Sequence, residues 1–492
     1  MLVANRGEIA VRVIRACRDL GLPAVAVFSP ADRAAGHVAM ADEAYPLPGN
    51  SPAESYLNID ALIDIARAAG ASAVHPGYGF LAENPAFARA CERAGLTFVG
   101  PPSDVLAVCG DKARTRDRVA AAGVPVLPGT GAISDTALAD AAATIGVPLL
   151  IKAVGGGGGK GIHLVREGAD LPEAARIARG EAQAAFGDDR IYLERWLPDA
   201  RHIEVQILAD RTGRVVALGE RDCSVQRRHQ KLIEETPAPG LHADLRDRML
   251  EAAVAGAQAI GYVSAGTVEF LVKAREFYFL EVNARLQVEH PVTEVVTGID
   301  LVTEQLRIAR GGTMSVRDAP VPRGHALECR ISAEDPHAGF LPSVGRIEDV
   351  IEPGGPGIRV DSAIVPGLEV TRHYDPLLAK VITWGPSREV AIARMRRALE
   401  EMAVAGVATT IPFHLWALGD AEFAAAAHTT AFVTRWEASQ TPGRHEREAI
   451  IAAAVSAYLD AQAPRLLRAG SPAATSPRRW IETARQEGLR DG

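Results

Sequence analysis

The first hundred residues alternate short apolar runs with amphipathic stretches. Apolar residues recur at helical spacing from Ile9 to Leu20 and again over residues 59–69, and glycine follows each stretch. Because parallel strands are joined by helical crossovers, this alternation is typical of a parallel sheet covered by helices. The sequence therefore predicts a Rossmann-like α/β domain over residues 1–108. The predicted strands are Leu2–Ala4, Ala24–Phe28, Ala71–His75 and Thr97–Val99.

The turns of this predicted domain limit its function. The first turn, NRGE at residues 5–8, holds a single glycine, whereas the dinucleotide fingerprint needs three. We therefore expect the Rossmann-like shape without NAD binding. The loop PGYGFLAEN, residues 76–84, follows the end of a predicted strand. Open α/β sheets bind ligands at such strand ends, so this loop is a candidate part of a site.

Composition and charge exclude several classes of protein. The net charge of −8 indicates no general affinity for nucleic acid. The longest apolar runs are too short for a membrane-spanning helix, and Met1 leads directly into the first predicted strand, so we expect neither a membrane span nor a signal or transit peptide. The five cysteines are scattered without zinc or disulfide spacing, which favours a reducing cytoplasm.

Residues 109–320 carry features of an anion-binding unit. Lys112 opens a predicted helix, although a surface lysine is equally compatible with that position. Lys152 lies inside the apolar strand Pro148–Val154, where a lysine normally has an anionic partner. The sequence GGGGGKG at 155–161 lacks the Ser or Thr of a P-loop. A glycine-rich turn between two strands predicts a flap whose backbone N–H groups close over phosphates, with a flexible linker as the alternative.

A dense polar run, ERDCSVQRRHQKLIEE, spans residues 220–235. Such runs are most often solvated faces. Because this run lies between strand–loop regions in a chain with phosphate-type features, anion binding is slightly favoured over a solvated face.

A predicted hairpin over residues 267–283 brings two acidic side chains together. A register that pairs Val272 with Tyr278 places Glu269 directly opposite Glu281. Two bare carboxylates in that position repel each other, and a divalent cation between them would remove the repulsion.

Polar side chains occupy every second position from Glu281, inside this hairpin, to Glu289, beyond it. If the chain stays extended, they share one face and form a row of ligands for a cation and an anion. Glu269, Glu281 and Asn283 offer only oxygen donors, which suit Mg²⁺ or Mn²⁺ better than zinc, and Mg²⁺ commonly takes substrate phosphates as further ligands. The row consists of Glu281, Asn283, Arg285, Gln287 and Glu289.

A third unit is predicted over residues 321–440. It contains the strand His325–Ser332, the strand Leu377–Thr383 and the helix Arg388–Met402. Residues 441–492 differ in composition and are predicted to be a helical, low-complexity tail.

Taken in order, the motifs resemble those of the biotin carboxylase family within the ATP-grasp superfamily. They are NRGEIA, HPGYGFLAEN, GDK, GGGGGKG, ERDCSVQRRHQK, VEFL, EVNARLQVEHPVTE, ECRISAEDP and YDPLLAK. The resemblance covers residues 1 to about 440. It implies a mixed α/β and α+β fold with a Rossmann-like N-terminal domain (1–108), an ATP-grasp domain (109–320) with a mobile glycine-rich lid at about 125–200, and a C-terminal biotin carboxylase domain (321–440).

The resemblance implies that ATP, bicarbonate and biotin give ADP, phosphate and N1-carboxybiotin, with Mg²⁺ or Mn²⁺. The chain contains no MKM-like biotinylation motif, so biotin is expected on a separate carrier protein beside a carboxyltransferase subunit. We also expect a cytoplasmic homodimer. The final acceptor stays open between acetyl-CoA, propionyl-CoA, other acyl-CoAs and pyruvate. A carboxylate–amine ligase of the ATP-grasp type and a non-catalytic scaffold are the alternatives.

The resemblance also implies roles for individual residues. Glu289 is expected to deprotonate bicarbonate, and Arg330 to stabilise the biotin enolate. The expected nucleotide contacts are Lys112, Lys152, Gly158, Gly159, Glu194, Arg195, Leu197, His202, Gln226, His229, Glu269, Leu271 and Glu281. The expected metal ligands are Glu269, Glu281 and Asn283. The expected bicarbonate and biotin contacts are Tyr78, Lys231, Arg285, Gln287, Val288 and Arg330, and the catalytic set is Lys231, Arg285, Glu289 and Arg330.

Overall fold

The fold is seen in a computed structural model that describes residues 1–155 and 161–439. The expected flap residues Gly158 and Gly159 and the expected tail at 441–492 lie outside the described residues.

The N-terminal region contains the predicted parallel sheet. Its five strands lie in the order β3-β2-β1-β4-β5, and every neighbouring pair is parallel. The sequence did not predict β3, which is a short edge strand with little apolar character. The strands are β1 (Leu2–Val3), β2 (Val25–Phe28), β3 (Glu43–Pro46), β4 (Ala73–His75) and β5 (Thr97–Phe98). The helices are α1 (Gly7–Asp19), α2 (Gly36–Met40), α3 (Ile59–Ala68), α4 (Pro85–Arg93) and α5 (Ser103–Gly110).

A smaller layer follows, built on an antiparallel sheet in the order β7-β6-β8. Its apolar face includes Leu149, Ile151, Ile191 and Leu193, all buried. The preceding helix, α6, begins at Lys112 because the Asp111 carboxylate caps it by accepting the Arg114 N–H. The elements are α6 (Lys112–Ala121), α7 (Leu138–Ile145), β6 (Leu149–Ala153), β7 (Ile162–Val165), α8 (Leu171–Phe186) and β8 (Ile191–Arg195).

An eight-stranded antiparallel sheet forms the centre of the molecule, in the order β13-β12-β9-β10-β11-β14-β21-β19. The buried residues Met249, Ala253 and Ala257 of the long helix α9 belong to the same apolar core as the sheet residue Phe270. The elements up to residue 309 are β9 (Arg201–Ala209), β10 (Val215–Arg227), β11 (Gln230–Thr236), α9 (Ala243–Ile260), β12 (Ser264–Lys273), β13 (Glu276–Asn283), α10 (His290–Thr297) and α11 (Leu301–Ala309).

The sheet continues past residue 320, where the sequence predicted a domain boundary. β11 pairs directly with β14, with Ile233 opposite Cys329. Residues on both sides of that boundary therefore line the same sheet face. The strands after it are β14 (His325–Ser332), β15 (Glu334–Asp335), β16 (Leu341–Pro342), β17 (Gly345–Arg346), β18 (Asp349–Ile351), β19 (Ile358–Ser362), β20 (Glu369–Val370), β21 (Leu377–Gly385) and β22 (Ala403–Ala405). The helices are α12 (Arg388–Glu401), α13 (Ile411–Gly419), α14 (Ala421–Ala424) and α15 (Phe432–Ser439).

The β12–β13 hairpin confirms that Glu269 lies opposite Glu281, but the predicted register near the turn was wrong. Val272 pairs with Phe277 rather than with Tyr278. A β-bulge at Leu280 supplies the extra residue that brings the two glutamates together.

The bulge also changes which face each side chain occupies. Phe277 and Phe279 point into the apolar core, whereas Glu281 and Asn283 line the cavity described below, although all four are odd-numbered. In a regular strand that kept Leu280 but had no bulge, strict alternation would place all four on one face.

The predicted row of alternating ligands was wrong beyond Asn283. β13 ends at that residue, and Arg285, Gln287 and Glu289 lie in the irregular segment before α10. Pro291, in the first turn of α10, lacks a backbone N–H and is therefore better suited to a helix start than to a central strand. The three side chains are positioned by a loop and not by strand alternation.

Two further observations concern the cysteines and the helices. All five cysteines are buried and free of disulfides. Among the described residues, the helices are too short or too polar to cross a membrane.

The apolar support of the hairpin can be tested through Phe270. Its ring is fully buried and makes an edge-to-face contact with Phe277 at 5.4 Å between centroids. Phe270→Ala should lower the free energy of unfolding by about 3–5 kcal/mol, because it removes a large buried side chain and leaves a cavity. Denaturant titration measures this change. Val321→Ala, at a position 84% exposed, is the control and should change it by less than about 0.5 kcal/mol. Equal effects would contradict the core position of Phe270.

Candidate active site

One large cavity lies between the N-terminal sheet, the small β6–β8 layer and one face of the eight-stranded sheet. Its volume is about 1120 Å³. Sites for one small molecule typically occupy about 300–1,000 Å³, so this cavity has room for more than one ligand.

Most residues predicted for the site line this cavity. They are Tyr78, Lys112, Lys152, Arg195, Leu197, His202, Gln226, His229, Lys231, Glu269, Leu271, Glu281, Asn283, Arg285, Gln287, Val288 and Arg330. Two others, Glu194 and Glu289, are buried directly behind lining residues, with which they form ion pairs. The structure therefore brings most of the predicted site residues together around one cavity.

Two lysines bring positive charge to the cavity. Lys152 on β6 is buried and pairs with the Glu194 carboxylate on β8, which confirms the predicted anionic partner. Lys112, at the start of α6, pairs with Glu281 on β13. Burial lowers the pKa of Lys112, but the Glu281 carboxylate outweighs this effect and raises it overall.

His229 adds a neutral ring to this part of the wall. It occupies the turn between β10 and β11 with a positive φ of 65°. Burial, followed by the nearby charge of Lys152, lowers the pKa of the imidazole. The ring is therefore uncharged at neutral pH and can accept or donate a hydrogen bond.

At the cavity wall and behind it, cations and carboxylates alternate in a continuous line that we call the ion chain. Each contact is a direct side-chain ion pair. A buried charge is tolerated only when it is paired, so each member of the chain depends on its neighbours. The ion chain runs Arg221, Glu204, Lys231, Glu289, Arg330, Glu234.

Arg221 is the innermost member of the ion chain and is fully buried on β10. Besides Glu204, its guanidinium donates to Gln206 at 2.7 Å, to Thr293 at 2.9 Å and to Thr267 at 3.1 Å. These acceptors lie on β9, α10 and β12, so one side chain ties together the elements that carry the site.

Lys231 is the centre of the ion chain. Its ammonium donates to Glu204, to Glu269 at 2.8 Å and to Glu289 at 2.7 Å. Burial lowers the pKa of Lys231, but the three carboxylates raise it well above its ordinary value. The lysine therefore keeps its charge where it meets the cavity.

Glu289 lies between two cations. One carboxylate oxygen accepts from Lys231, and the other accepts from Arg330 Nη2 at 2.8 Å. Burial raises the pKa of Glu289, but Lys231 and Arg330 lower it well below its ordinary range. Glu289 is thus ionised at neutral pH and able to accept a proton.

Arg330 also contacts Glu234, whose Oε1 accepts from the arginine Nε at 2.6 Å. Burial raises the pKa of Glu234 to about 7 in spite of this arginine.

The loop after β13 directs hydrogen-bond donors into the cavity. Arg285 Nε donates to Glu83 at 2.9 Å, and its Nη2 donates to Asn283 Oδ1 at 3.2 Å. Gln287 Nε2 lies 3.4 Å from Glu269 Oε1. A guanidinium and an amide beside Lys231 form a suitable place for a small planar anion.

The opposing glutamates of the hairpin are suited to a divalent cation. The two strands place Glu269 and Glu281 as cross-strand partners, and Asn283 lies two residues further along the same wall. Their carboxylate and amide oxygens are the donors that Mg²⁺ prefers. In the structure, Glu269 pairs with Lys231 and with His202 Nε2 at 3.0 Å, while Glu281 pairs with Lys112.

A second grouping of possible metal ligands shares Glu269 with the first. The ligand atoms of His202, Glu204 and Glu269 all lie within 4.8 Å of one another. However, Glu204 already accepts from Arg221 and Lys231, and its full burial leaves it no direct contact with the cavity. Burial lowers the pKa of His202, but the Glu269 carboxylate raises it overall.

Sequence reasoning missed several residues on which the site depends. Glu83 lies in the PGYGFLAEN loop, which was expected to be a ligand region, yet its contact with Arg285 was not predicted. Arg221 and Glu234 belong to the polar run at 220–235, for which anion binding or a solvated face was expected. Most of that run is instead buried in β10 and β11, and the only signal was the high density of charge between strand-forming residues.

The structural importance of the ion chain can be tested at Arg221. Arg221→Met should lower the free energy of unfolding by about 3–5 kcal/mol, because it removes one partner of a buried ion pair and leaves Glu204 short of a cation. Denaturant titration measures the loss. The control is Arg176→Met, which removes an exposed pair with Glu173 and should leave stability close to that of the wild type. A stable Arg221→Met protein would show that the ion chain does not depend on this residue.

Models of known protein families match three successive regions of the chain. Residues 1–106 match the model of the biotin carboxylase N-terminal domain, and residues 328–435 match the biotin carboxylase C-terminal domain. Residues 111–317 match the ATP-binding domain of the carbamoyl-phosphate synthase L chain.

Relatives match over most of their length. Biotin carboxylase 1 of Bacillus subtilis is 48% identical over 442 residues, which are 89% of this chain and 98% of that protein. One pyruvate carboxylase subunit of Methanothermobacter thermautotrophicus is 50% identical over 417 residues, which are 84% of this chain and 85% of that protein.

Two solved structures are similar to this chain in both fold and sequence. The biotin carboxylase domain dimer of Hydrogenobacter thermophilus 2-oxoglutarate carboxylase, in complex with MgADP, ADP and bicarbonate, has a TM-score of 0.87 and 46% identity, covering 90% of this chain and 98% of that one. Biotin carboxylase from Campylobacter jejuni has a TM-score of 0.86 and 42% identity, covering 88% of this chain and 98% of that one. The predicted mixed fold with a Rossmann-like N-terminal region is confirmed, and the chain belongs to the biotin carboxylase family of ATP-grasp enzymes.

Proposed function

We propose that this chain catalyses the ATP-dependent carboxylation of biotin by bicarbonate, giving ADP, phosphate and N1-carboxybiotin. The observation that carries this proposal is the position of Glu289. An ionised carboxylate lies between Lys231 and Arg330, next to the cavity and in the same loop as the donors Arg285 and Gln287. This arrangement suits a base that removes a proton from a small bound anion.

The nucleotide would occupy the part of the cavity that the lysines line. Lys112 and Lys152 would contact its phosphates, and His229 would add a neutral hydrogen-bonding group. The flap residues Gly158 and Gly159 would close over it. The remaining proposed nucleotide contacts are Glu194, Arg195, Leu197, His202, Gln226, Glu269, Leu271 and Glu281, most of which line the cavity.

Glu269, Glu281 and Asn283 would hold Mg²⁺ or Mn²⁺. Once bound, the ion neutralises phosphate charge and relieves the repulsion between the opposing glutamates. Lys112 and Lys231, which now pair with these carboxylates, would then be able to turn toward the phosphates and the bicarbonate.

Bicarbonate would bind to Arg285, Gln287 and the Val288 backbone amide. It is a weak nucleophile until it loses its proton, which Glu289 would accept. The freed oxygen would then bond to the γ-phosphorus of ATP while the bond from that phosphorus to ADP breaks. Lys231 and Arg285 would stabilise the negative charge of the resulting carboxyphosphate.

The second half of the reaction would use Arg330. Carboxyphosphate would yield CO₂ and phosphate beside biotin, and phosphate would take the proton of the ureido nitrogen. The nitrogen becomes nucleophilic as negative charge develops on the ureido oxygen, and a fixed guanidinium stabilises that charge. Tyr78, which lines the cavity, would contact biotin.

The partners follow from the same proposal. Biotin would be carried by a separate carrier protein, and a carboxyltransferase subunit would pass the carboxyl group to an acyl-CoA or to pyruvate. The match to a pyruvate carboxylase subunit keeps that pathway as the alternative to an acyl-CoA carboxylase. We further propose a cytoplasmic homodimer whose domains span residues 1–108, 109–320 and 321–440, with a separate tail at 441–492.

A direct test of this function is ATP hydrolysis by the purified chain. Hydrolysis should depend on bicarbonate and rise when free biotin is added, because carboxyphosphate is consumed by biotin. Release of phosphate measures the rate, and radiolabelled bicarbonate measures carboxybiotin. A carboxylate–amine ligase would show neither dependence, and a non-catalytic scaffold would show no turnover.

The proposed base can be tested with Glu289→Gln. The amide keeps the shape of the side chain but cannot accept the bicarbonate proton, so carboxylation should fall by about 10²–10⁴-fold. Nucleotide affinity, measured by calorimetry, should stay close to that of the wild type. Glu276→Gln, at an exposed position of the same hairpin, is the control and should keep full activity. Full activity in Glu289→Gln would exclude this residue as the base.

A further inference from the structure

A buried lysine outside the cavity contacts the backbone of the loop that carries Glu289. Lys380 lies on β21 and is fully buried. Its ammonium donates to the Val288 carbonyl oxygen at 2.8 Å. Two carboxylates are close to the same nitrogen, Glu8 Oε2 at 3.3 Å and Asp361 Oδ2 at 3.7 Å. Lys380 is thus a bridge between α1, β19, β21 and the loop.

The loop needs such contacts because it lies outside the sheet. Residues 284–289 follow the end of β13 and have no strand partner to satisfy their backbone groups. Side chains supply the hydrogen bonds instead. Glu83 accepts from the Ala284 N–H at 2.9 Å, and His290 Nδ1 lies 2.8 Å from the Gln287 carbonyl oxygen. Because a carbonyl oxygen can only accept, this imidazole nitrogen carries the proton.

Two consecutive peptide groups are therefore fixed by side chains, that of Gln287 by His290 and that of Val288 by Lys380. The Val288 carbonyl belongs to the peptide group that leads into Glu289. Holding this group fixes the direction in which the Glu289 side chain leaves the backbone. It also limits rotation of the neighbouring peptide, which bears the Val288 N–H.

We propose that Lys380 is a positioning residue for bicarbonate, which holds the Val288–Glu289 peptide so that the Val288 N–H and the Glu289 carboxylate meet the same anion. This inference rests on the proposed function. Lys380 is not among the residues that line the cavity, so it acts through the loop and not on the substrate.

Lysine is well suited to this role. An ammonium is a compact charge that can donate to the Val288 carbonyl while the carboxylates of Glu8 and Asp361 lie close enough to balance it. The carboxylates compensate the cost of burying the charge, and Asp361 is itself held by Arg359 at 2.8 Å. Glu8 also accepts from the hydroxyl of Tyr78, a cavity residue and the proposed biotin contact. The same lysine therefore connects the bicarbonate loop with the biotin side of the cavity.

The test compares a charge-balanced double variant with its parent. Lys380→Met alone would leave Glu8 short of a cation, so the informative variant is Lys380→Met combined with Glu8→Gln. Its parent, Glu8→Gln, keeps the contact between Lys380 and Val288. Relative to that parent, the double variant should raise the KM for bicarbonate by about 10-fold to 100-fold, because a small misplacement of binding groups has effects of that order. The KM for ATP should be close to that of the parent.

Lys273→Met is the matched control. This exposed lysine also donates to a backbone carbonyl, that of Pro198 at 2.9 Å, at the hairpin turn. It should leave the KM for both bicarbonate and ATP unchanged.

Three results would overturn the inference. The first is an unchanged KM for bicarbonate in the folded double variant. The second is an equal rise in the KM for bicarbonate and ATP, and the third is failure of the double variant to fold; both would give Lys380 a purely structural role. Failure of the proposed function would be visible separately, because the wild type itself would then hydrolyse ATP without any dependence on bicarbonate.

Discussion

The site depends on the burial of Arg221, the innermost cation of the ion chain. A guanidinium with no exposed surface needs partners on every side, and it finds them on β9, β12 and α10. This requirement fixes Glu204, which helps to fix Lys231, and Lys231 helps to hold Glu289. Buried charged groups that do not reach the cavity thus use ion pairs to position the charged groups that do.

The continuous sheet explains how one chain can place groups for two half-reactions side by side. Lys231 on β11 and Arg330 on β14 belong to adjacent strands, although almost a hundred residues separate them in the sequence. Glu289 contacts both. The proposed phosphoryl-transfer and biotin-carboxylation steps would therefore share one carboxylate. A rigid sheet would keep the distance between Lys231 and Arg330 constant. The β6–β8 layer, which is built on a separate sheet, would cover the nucleotide.

Much of the fold and part of the site could be predicted from local sequence patterns. Alternating strands and helices indicated the parallel sheet. An apolar strand around Lys152 implied an anionic partner, and the hairpin implied that Glu269 opposes Glu281. The ion chain could not be predicted, because its contacts join residues far apart in sequence, such as Arg221 with Thr293. The loop before α10 was expected to be extended because a two-residue period in side-chain type resembles a strand whether or not the backbone has strand partners.

The bulge at Leu280 has a consequence for variation within the hairpin. The alternation of side chains between the two faces of the strand shifts by one residue at Leu280. Odd-numbered residues before the bulge face the core, and odd-numbered residues after it face the cavity. The aromatic residues Phe277 and Phe279 are therefore constrained by packing, whereas Glu281 is constrained by its charge, although all three are odd-numbered. A relative that lacked a residue at Leu280 would have both parts of the strand in one regular alternation. Glu281 would then follow Phe279 directly and stay opposite Glu269, so the acidic pair tolerates the loss of Leu280 but not a straightened strand that keeps it.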